Sequence, residues 1–414
     1  MYNRMGAALP DPFAGWFRAR GWRPHAHQVA MLDAAEAGAH ALLVAPTGGG
    51  KTLAGFLPTL MDIAANDAEA MGLHTLYISP LKALTVDVRR NLVAPITEME
   101  LPVRAETRTG DTPHNRRRRQ RERPPHVLMT TPESLALLLS YADAARMFAG
   151  LRCVIIDELH ALAGNKRGEL LSLGLARLAS LAPACRRVGL SATVAWPDAL
   201  RAWLSPAADA GDVRLIETTE GLEPEVTILD TGEWMPWSGH MAVHALPAVY
   251  EEIRKAATTI VFVNTRAQAE IVFHHLWYAN DDNLPIALHH GSLAVEQRRK
   301  VEAAMAAGRL RAVVATSSLD LGIDWGAVDL VVQVGAPKGV SRLLQRTGRS
   351  GHRLDQPSRA ILVPANLFEL LECRAAVEAV GERSLDDDPP RPGGLDVLAQ
   401  HLMGTGPPPL TRSR

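Results

Sequence analysis

The sequence predicts an α/β protein made of two tandem parallel sheets, each flanked by helices. Three observations predict it. Short apolar, β-rich runs alternate with longer amphipathic stretches nearly throughout the 414 residues, as strands buried on both faces do. The alternation pauses once, from about residue 206 to residue 240, and then resumes for a stretch of similar size. Near the start, a glycine-rich loop follows a strand-like run and opens a helix-like one, which is the context of a phosphate-binding loop.

The first unit is expected to cover residues 1–208. Its strands are "ALLVAP" (41–46), "HTLYISP" (74–80), "HVLMTTP" (126–132), "LRCVIIDE" (151–158) and "RRVGLSAT" (186–193). Helices fill the gaps, among them "KTLAGFLPTLMDIAA" and "RGELLSLGLARLASLA". "SPAADAGD" then reads as loop, and "GEWMPWSGH" (232–240) breaks the period with Gly, Pro and Trp. A second unit, 209–383, carries the strands "TTIVFVNT" (258–265), "PIALHHG" (285–291), "RAVVATS" (311–317), "VDLVVQVG" (328–335) and "SRAILVP" (358–364). No short-period repeat is present, so two like units in tandem is the economical reading. Residues 384–414 begin as a polar, Pro-rich linker, "RSLDDDPPRPGG". "LDVLAQHLM" then starts a further helix, and "GTGPPPLTRSR" ends the chain with nothing to bury. A third domain is expected to begin there and stop.

Composition narrows the classes. A hydrophobic content of 47% is ample for two cores. A net charge of −1 gives no global sign of nucleic acid, so any such surface is local. Cys153, Cys185 and Cys373 lie far apart with no CxxC pair, so they read as structural thiols and not as a zinc site or disulfide frame. The N-terminus has no apolar core of a signal peptide and no run approaches a membrane span, so the chain is expected to be cytoplasmic.

The chemistry starts at "APTGGGKT" (45–52). Thr47, Gly48, Gly49 and Gly50 let backbone N–H groups crowd phosphate oxygens at a helix N-terminus. Lys51 would reach the β- and γ-phosphates and the Thr52 hydroxyl would ligate Mg²⁺. The first loop position is Ala45 where the motif usually has Gly. A later strand runs straight into charge, "VIIDELHALAG" (154–164). Asp157 stands where an acidic Mg²⁺ ligand is needed, and Glu158 is the natural base for an attacking water. His160 reads as structural or as a link to the next motif.

Phosphate loop, "DELH", "SAT" (191–193) and "QRTGRSGH" (345–352), in that order, resemble a superfamily 2 DExH-box helicase over roughly residues 15 to 380. "SPLKAL" (79–84), "TRTGDT" (107–112), "TTPESL" (130–135), "HHGSL" (289–293) and the block from "SSLDLGID" to "QRTGRSGH" resemble its Lhr, or large helicase-related, group. "RGWRPHAHQ" and "LPIALHHGSL" look most like the bacterial DNA-ligase-associated branch. The resemblance implies two RecA-like domains that enclose ATP and Mg²⁺, followed by the truncated start of a winged-helix domain. It implies that Gln28 reads adenine, that Ser191 and Thr193 with His160 couple nucleotide state to nucleic-acid grip, and that Asp320 lies near the ribose. Arg346 and Arg349 match arginines that stabilise the transferring phosphoryl group, with Arg349 the better placed. Gln345 replaces the usual His of that motif, and His352 stands where a third Arg is common, as in Lhr-like proteins.

The same resemblance implies a strand-binding face. In the first unit it comprises Lys82, Arg108, Thr109, Gly110 and Thr131, with Glu133 beside them; in the second, Thr265, Arg266, His290, Gly291, Ser292, Thr316 and Ser317. Such hydroxyls, backbone N–H groups and basic side chains are ordinary phosphate partners. The run "NRRRRQRER" (115–123) is either a solvated face or a flank of that surface. Trp234, Trp237 and Trp325 could stack bases, or pack an interface.

The expected function is an ATP-dependent DNA helicase or translocase core acting on single-stranded DNA, 3′ to 5′, in DNA repair beside a DNA ligase and a nuclease. RNA stays open, because a phosphate grip reads backbone and not base. Two other readings remain: a nucleic-acid-stimulated ATPase that does not separate strands, and an inactive truncated fragment that only binds nucleic acid. Intact Lys51, Asp157, Glu158 and Arg349 argue against the last.

Overall fold

The computed structural model describes residues 9–46, 50–68, 71–80, 92–192, 194–218, 223–232, 234–239, 241–320, 328–351, 357–386, 389–390 and 393–405. Among these, two separate sheets form, and every strand pair in both is parallel.

The first sheet contains β1 (His40–Val44), β2 (Thr75–Ile78), β3 (Ala105–Arg108), β4 (Val127–Thr130), β5 (Cys153–Ile156), β6 (Arg186–Ser191) and β7 (Val213–Glu217). Its order is β3-β4-β2-β5-β6-β1-β7. Side chains alternate between two cores. Leu43, Ile155 and Leu190 face one side; Leu42, Val154 and Ile156 face the other. Both faces are therefore apolar, which explains the unbroken apolar runs.

The second sheet contains β8 (Glu225–Ile228), β9 (Thr259–Phe262), β10 (Ile286–His289), β11 (Ala312–Ala315), β12 (Leu330–Val334) and β13 (Arg359–Val363). Its order is β10-β11-β9-β12-β13-β8. Val261, Val314 and Val332 pack on one face, and Ile260, Val313 and Val331 on the other.

The structure moves one expected boundary. β7 pairs with β1, from His40 opposite Val213 to Val44 opposite Glu217, so the first unit reaches beyond 208. Three strands escaped the sequence reading: β3, β7 and β8. Each lies at a sheet edge, where polar side chains alternate with apolar ones.

The tail returns to the first unit. Asp386 accepts backbone N–H bonds from Val340 (3.0 Å) and Ser341 (3.1 Å). It thereby caps the helix Val340–Thr347. The helix Leu395–Thr405 then packs on the helices Lys166–Leu181 and Pro132–Leu139. Gly394 N–H donates to Glu169 (2.9 Å) and Lys166 pairs with Asp396 (2.5 Å). That ion pair is exposed and adds little by itself.

Cys153 and Cys373 are buried and all three thiols are free. Among the described residues no helix is long and apolar enough to cross a membrane.

Asp386→Ala removes both acceptors from the first turn of Val340–Thr347. A lost cap of this kind costs about 1 kcal/mol. Urea unfolding of the second unit is expected to shift by that amount, and an unchanged midpoint would show that the cap contributes nothing.

Candidate ATP site and strand-binding face

The strand order gathers distant motifs. β5, β6 and β1 are neighbours, so the segments leaving their C-terminal ends meet. These carry Asp157 and Glu158, Ser191, and the phosphate loop. Ala45 N–H donates to the Ser191 carbonyl (3.1 Å) and fastens the loop's start to β6.

Gly50 opens the helix Lys51–Ala65 with φ +72°, a left-handed conformation that glycine adopts without strain. The Gln28 amide lies against it: a Cβ on Gly50 would meet Gln28 Nε2 at 3.2 Å. Gln28 is itself buried, and its Oε1 accepts from His25 N–H (3.0 Å). Lys51 Nζ donates to the carbonyls of Ala45 (2.8 Å) and Pro46 (2.9 Å). Burial lowers the Lys51 pKa, Glu158 and Asp157 oppose this, and Arg349 lowers it further. Thr52 follows in the helix's first turn, half-buried. Thr47, Gly48, Gly49 and Thr193 lie outside the described residues.

Asp157 is buried at 5% exposure. Its Oδ1 accepts from Glu158 N–H (2.9 Å) and its Oδ2 from the Tyr77 hydroxyl. Burial first, and then the Glu158 charge, push its pKa up to about 6. One lysine therefore faces two neighbouring acids. Glu158 has φ +48°, a left-handed conformation that costs a non-glycine residue on the order of 1 kcal/mol. Such strain collects at functional sites.

His160 sits at the centre of a three-way contact. Its Nδ1 meets Ser191 Oγ at 3.0 Å, and its Nε2 meets Gln345 Nε2 at 2.8 Å and Glu158 Oε2 at 3.4 Å. Gln345 belongs to the second unit, so this histidine joins Glu158 and Ser191 to the opposite unit. Its helix, Leu159–Ala163, approaches Lys166–Leu181 closely at Gly168, where a Cβ would lie 2.0 Å from the Leu162 carbonyl oxygen.

Across from Lys51, the two arginines take different positions. Arg346 is spent inside its own unit: Nε donates to Asp320 Oδ1 (2.8 Å), Nη2 to Asp320 Oδ2 (3.2 Å) and Nη1 to Gln333 Oε1. The guanidinium also lies 4.5 Å from the centre of the Phe262 ring. Asp320 accepts one of these bonds on each carboxylate oxygen and so braces this motif. Arg349 donates through Nη2 to the Asp320 carbonyl (3.0 Å) and sits close enough to Lys51 to depress its pKa. Of the two arginines, it is the one whose charge is felt at Lys51.

The residues expected to grip a strand follow the same edge in both sheets. β3, β4 and β2 are neighbours, as are β10, β11 and β9. Thr109 and Gly110 form a turn after β3, with Thr109 N–H donating to Thr112 Oγ1 (2.9 Å). Gly291, Ser292, Thr265 and Arg266 are exposed at the ends of β10 and β9, and Thr316 is half-buried at the end of β11.

Others are occupied. Arg108 is 3% exposed and donates to the Arg117 carbonyl (2.9 Å). It anchors the basic helix and does not present its charge outward. Thr131 is buried as the cap of Pro132–Leu139, accepting from Ser134 N–H (3.4 Å). Glu133 pairs with Arg167 (2.5 Å). His290 is buried, its Nδ1 accepting from Ser292 N–H (3.3 Å).

The arginine run forms the helix His114–Glu122. Arg119 pairs with Glu106 (2.8 Å), Arg118 with Glu122 (3.6 Å) and Arg121 with Asp143 (3.5 Å). Trp234 and Trp237 are exposed at 98% and 73% and pack into neither core. Lys82 and Trp325 lie outside the described residues.

Sequence reasoning missed two site residues. Gln345 stood out only as a departure from the usual His. Tyr77 looks like any aromatic residue in a core strand, and no spacing marks it.

Comparison with known proteins agrees with this geometry. A DEAD/DEAH box helicase model matches residues 25–201, and a helicase conserved C-terminal domain model matches 242–353. The chain is 36% identical over 420 residues to ATP-dependent helicase Lhr-Core protein 2 of Thermococcus barophilus, covering 96% of this chain and 48% of that protein. It is 36% identical over 460 residues to the Lhr helicase/uracil glycosylase of Escherichia coli, covering 95% and 30%. The structure of Mycobacterium smegmatis helicase Lhr bound to ssDNA and AMP-PNP is similar with a TM-score of 0.84 at 37% identity, over 96% of this chain and 53% of that one. The chain thus spans about half, or less, of the length of these relatives. With its two tandem RecA-like domains, it belongs to the superfamily 2 DEAD/DEAH box helicases and, within them, to the Lhr group.

Proposed function

We propose that this chain is an ATP-dependent motor that hydrolyses ATP on single-stranded DNA. The observation that carries the reading is the Gln345–His160–Ser191 bridge, which links the two sheets beside Lys51, Asp157 and Glu158. Hydrolysis at such a site is mechanically tied to the position of the second unit.

The residues fit a nucleotide with Mg²⁺. Two adjacent acids face one lysine, and burial together with the Glu158 charge raises the Asp157 pKa to about 6. Among the described residues there is no cluster of three or more His, Cys, Asp or Glu side chains able to hold a metal alone. That suits an ion held by one carboxylate, one hydroxyl and the phosphates. Asp157 and Thr52 would hold it, and it neutralises phosphate charge when bound.

The chain's own groups supply the rest. Glu158 orients a water and takes its proton as the oxygen attacks the γ-phosphorus and ADP leaves. Lys51 and Arg349 stabilise charge on the transferring oxygens. Gln28 orients the base. When the γ-phosphate is lost, Arg349 no longer faces that anion, and the His160–Gln345 contact is free to rearrange. The strand is held at the other half of each sheet edge, at Thr109, Gly110, Thr265, Arg266, Gly291, Ser292 and Thr316, with Lys82 joining them.

Movement from 3′ to 5′, a role in DNA repair beside a DNA ligase and a nuclease, membership of the ligase-associated branch and a cytoplasmic setting belong to the same proposal. They rest on the motif resemblance alone. A motor that tracks a strand without separating duplex is the alternative, and a strand-displacement assay run beside the ATPase assay divides the two.

Three measurements test the reading. Single-stranded DNA is expected to stimulate steady-state ATP hydrolysis, and Lys51→Ala to abolish it. Glu158→Gln is expected to lower kcat by about 10²-fold or more while nucleotide still binds; wild-type turnover would remove Glu158 from the base role. Gln345→Ala is expected to retain nucleotide and DNA binding but to uncouple them, so that DNA no longer raises kcat. Stimulation equal to wild type would show that the His160 bridge transmits nothing.

A fourth measurement separates the arginines. Arg266→Gln is expected to lower the slope of log affinity against log salt by about 1. Arg118→Gln with Arg119→Gln is expected to leave that slope unchanged, because their charges are matched by Glu122 and Glu106. A flatter slope in the double variant would assign the basic helix to the strand-binding face.

A further inference from the structure

We propose that Tyr77 is a positioning residue for the Asp157 carboxylate and that it transmits the state of the strand-binding sheet edge to it. The inference rests on the function proposed above and deepens it. Tyr77 is fully buried in β2. Its ring stacks on Phe56 of the phosphate-loop helix, with centroids 4.9 Å apart and planes 19° from parallel. Its hydroxyl donates to Asp157 Oδ2, while Glu158 N–H holds Oδ1 at 2.9 Å. Both oxygens are therefore fixed, and the carboxylate cannot turn about its own axis. A metal-binding carboxylate held in this way is pre-aimed, and outer partners of this kind strongly affect metal affinity.

A buried phenol needs a partner, and a backbone carbonyl would have satisfied it. Here the hydroxyl is instead committed to an acid at the hydrolysis site. Strand position adds the second half of the argument. β2 lies between β4 and β5, with Ile78 opposite both Thr130 and Ile156. Ser79 N–H donates to the Thr130 carbonyl (3.1 Å), and Asp157 N–H donates to the Ile78 carbonyl (2.9 Å). The strand that carries Tyr77 is thus hydrogen-bonded on one side to the end of β4 and on the other to Asp157. β4 pairs in turn with β3, which leads into the Thr109–Gly110 turn, so a shift at that edge reaches the carboxylate oxygen through the rigid, ring-stacked Tyr77 beside the Asp157 backbone bond.

Tyr77→Phe deletes the hydroxyl and keeps the ring, so packing on Phe56 survives. The readout is binding of a fluorescent ATP analogue to the full chain, titrated with Mg²⁺, with and without oligothymidylate. Affinity for the analogue without Mg²⁺ is expected to match wild type, which also reports that the variant is folded. The Mg²⁺ concentration for half-saturation is expected to rise by about 10-fold or more. Oligothymidylate is expected to lower that concentration in wild type and to leave it unmoved in the variant.

An unchanged Mg²⁺ requirement in Tyr77→Phe would overturn the positioning role. A raised requirement that oligothymidylate still lowers as in wild type would overturn the transmission. Failure of the underlying reading looks different: wild-type ATP turnover would then be indifferent to DNA, while the Mg²⁺ titration without oligothymidylate would still decide what Tyr77 does.

Discussion

Parallel strands impose the constraint on which the rest depends. A parallel pair can be joined only by a crossover, so the segments that leave every strand's C-terminal end collect on one edge of the sheet. Strand order then decides which of them meet. In the first sheet, β5-β6-β1 brings the acid pair, Ser191 and the phosphate loop together, while β3-β4-β2 brings Arg108 to Gly110, Thr131 and Ser79 together. In the second sheet, β10-β11-β9 does the same for His290 to Ser292, Thr316 and Thr265 with Arg266. The proposed hydrolysis and strand-grip residues therefore lie on two halves of one edge, and β2 is where the halves touch.

Interior structure was legible because interior strands must be apolar on both faces. β1, β2, β4, β5, β6, β9, β11, β12 and β13 all announce themselves this way. β3, β7 and β8 have one neighbour each, and their polar positions hide them. The same logic governs the site. Lys51, Asp157 and Glu158 were legible because the chemistry restricts which residue types can stand there. Arg108 and Arg346 were legible only as charges near an edge. Whether a guanidinium is already matched depends on partners distant in sequence: the Arg117 carbonyl in one case, Asp320 and Gln333 in the other. Tyr77 carried no signal, because a hydroxyl inside a core strand is ambiguous until its acceptor is known.

Two buried charge clusters face each other across the units, and their balance tells them apart. Asp320 with Arg346 is a matched pair, completed by the Gln333 amide. Such a pair needs nothing from outside and holds its own motif in shape. Asp157 and Glu158 are not matched by Lys51 within their own unit, and Arg349 supplies a second cation from the other; burial first, and then the Glu158 charge, raises the Asp157 pKa to about 6. A polyphosphate would add further negative charge beside these acids, so under the proposed function a nucleotide that arrives with a cation is the form that suits the site.

Arg349 belongs to both clusters. Its hydrogen bond to the Asp320 carbonyl ties it to the matched pair, while its charge is felt at Lys51. Two cations close together repel, although the acid pair acts on Lys51 more strongly than Arg349 does. Phosphate between them reverses the sign, since each then faces an anion. Under the function proposed above, closure would be favoured by the γ-phosphate and disfavoured by its loss. The His160–Gln345 contact, at 2.8 Å, bridges the two units beside these charges. A motor needs its closed state to depend on fuel, and here the dependence follows from two like charges placed on opposite sides of one cleft.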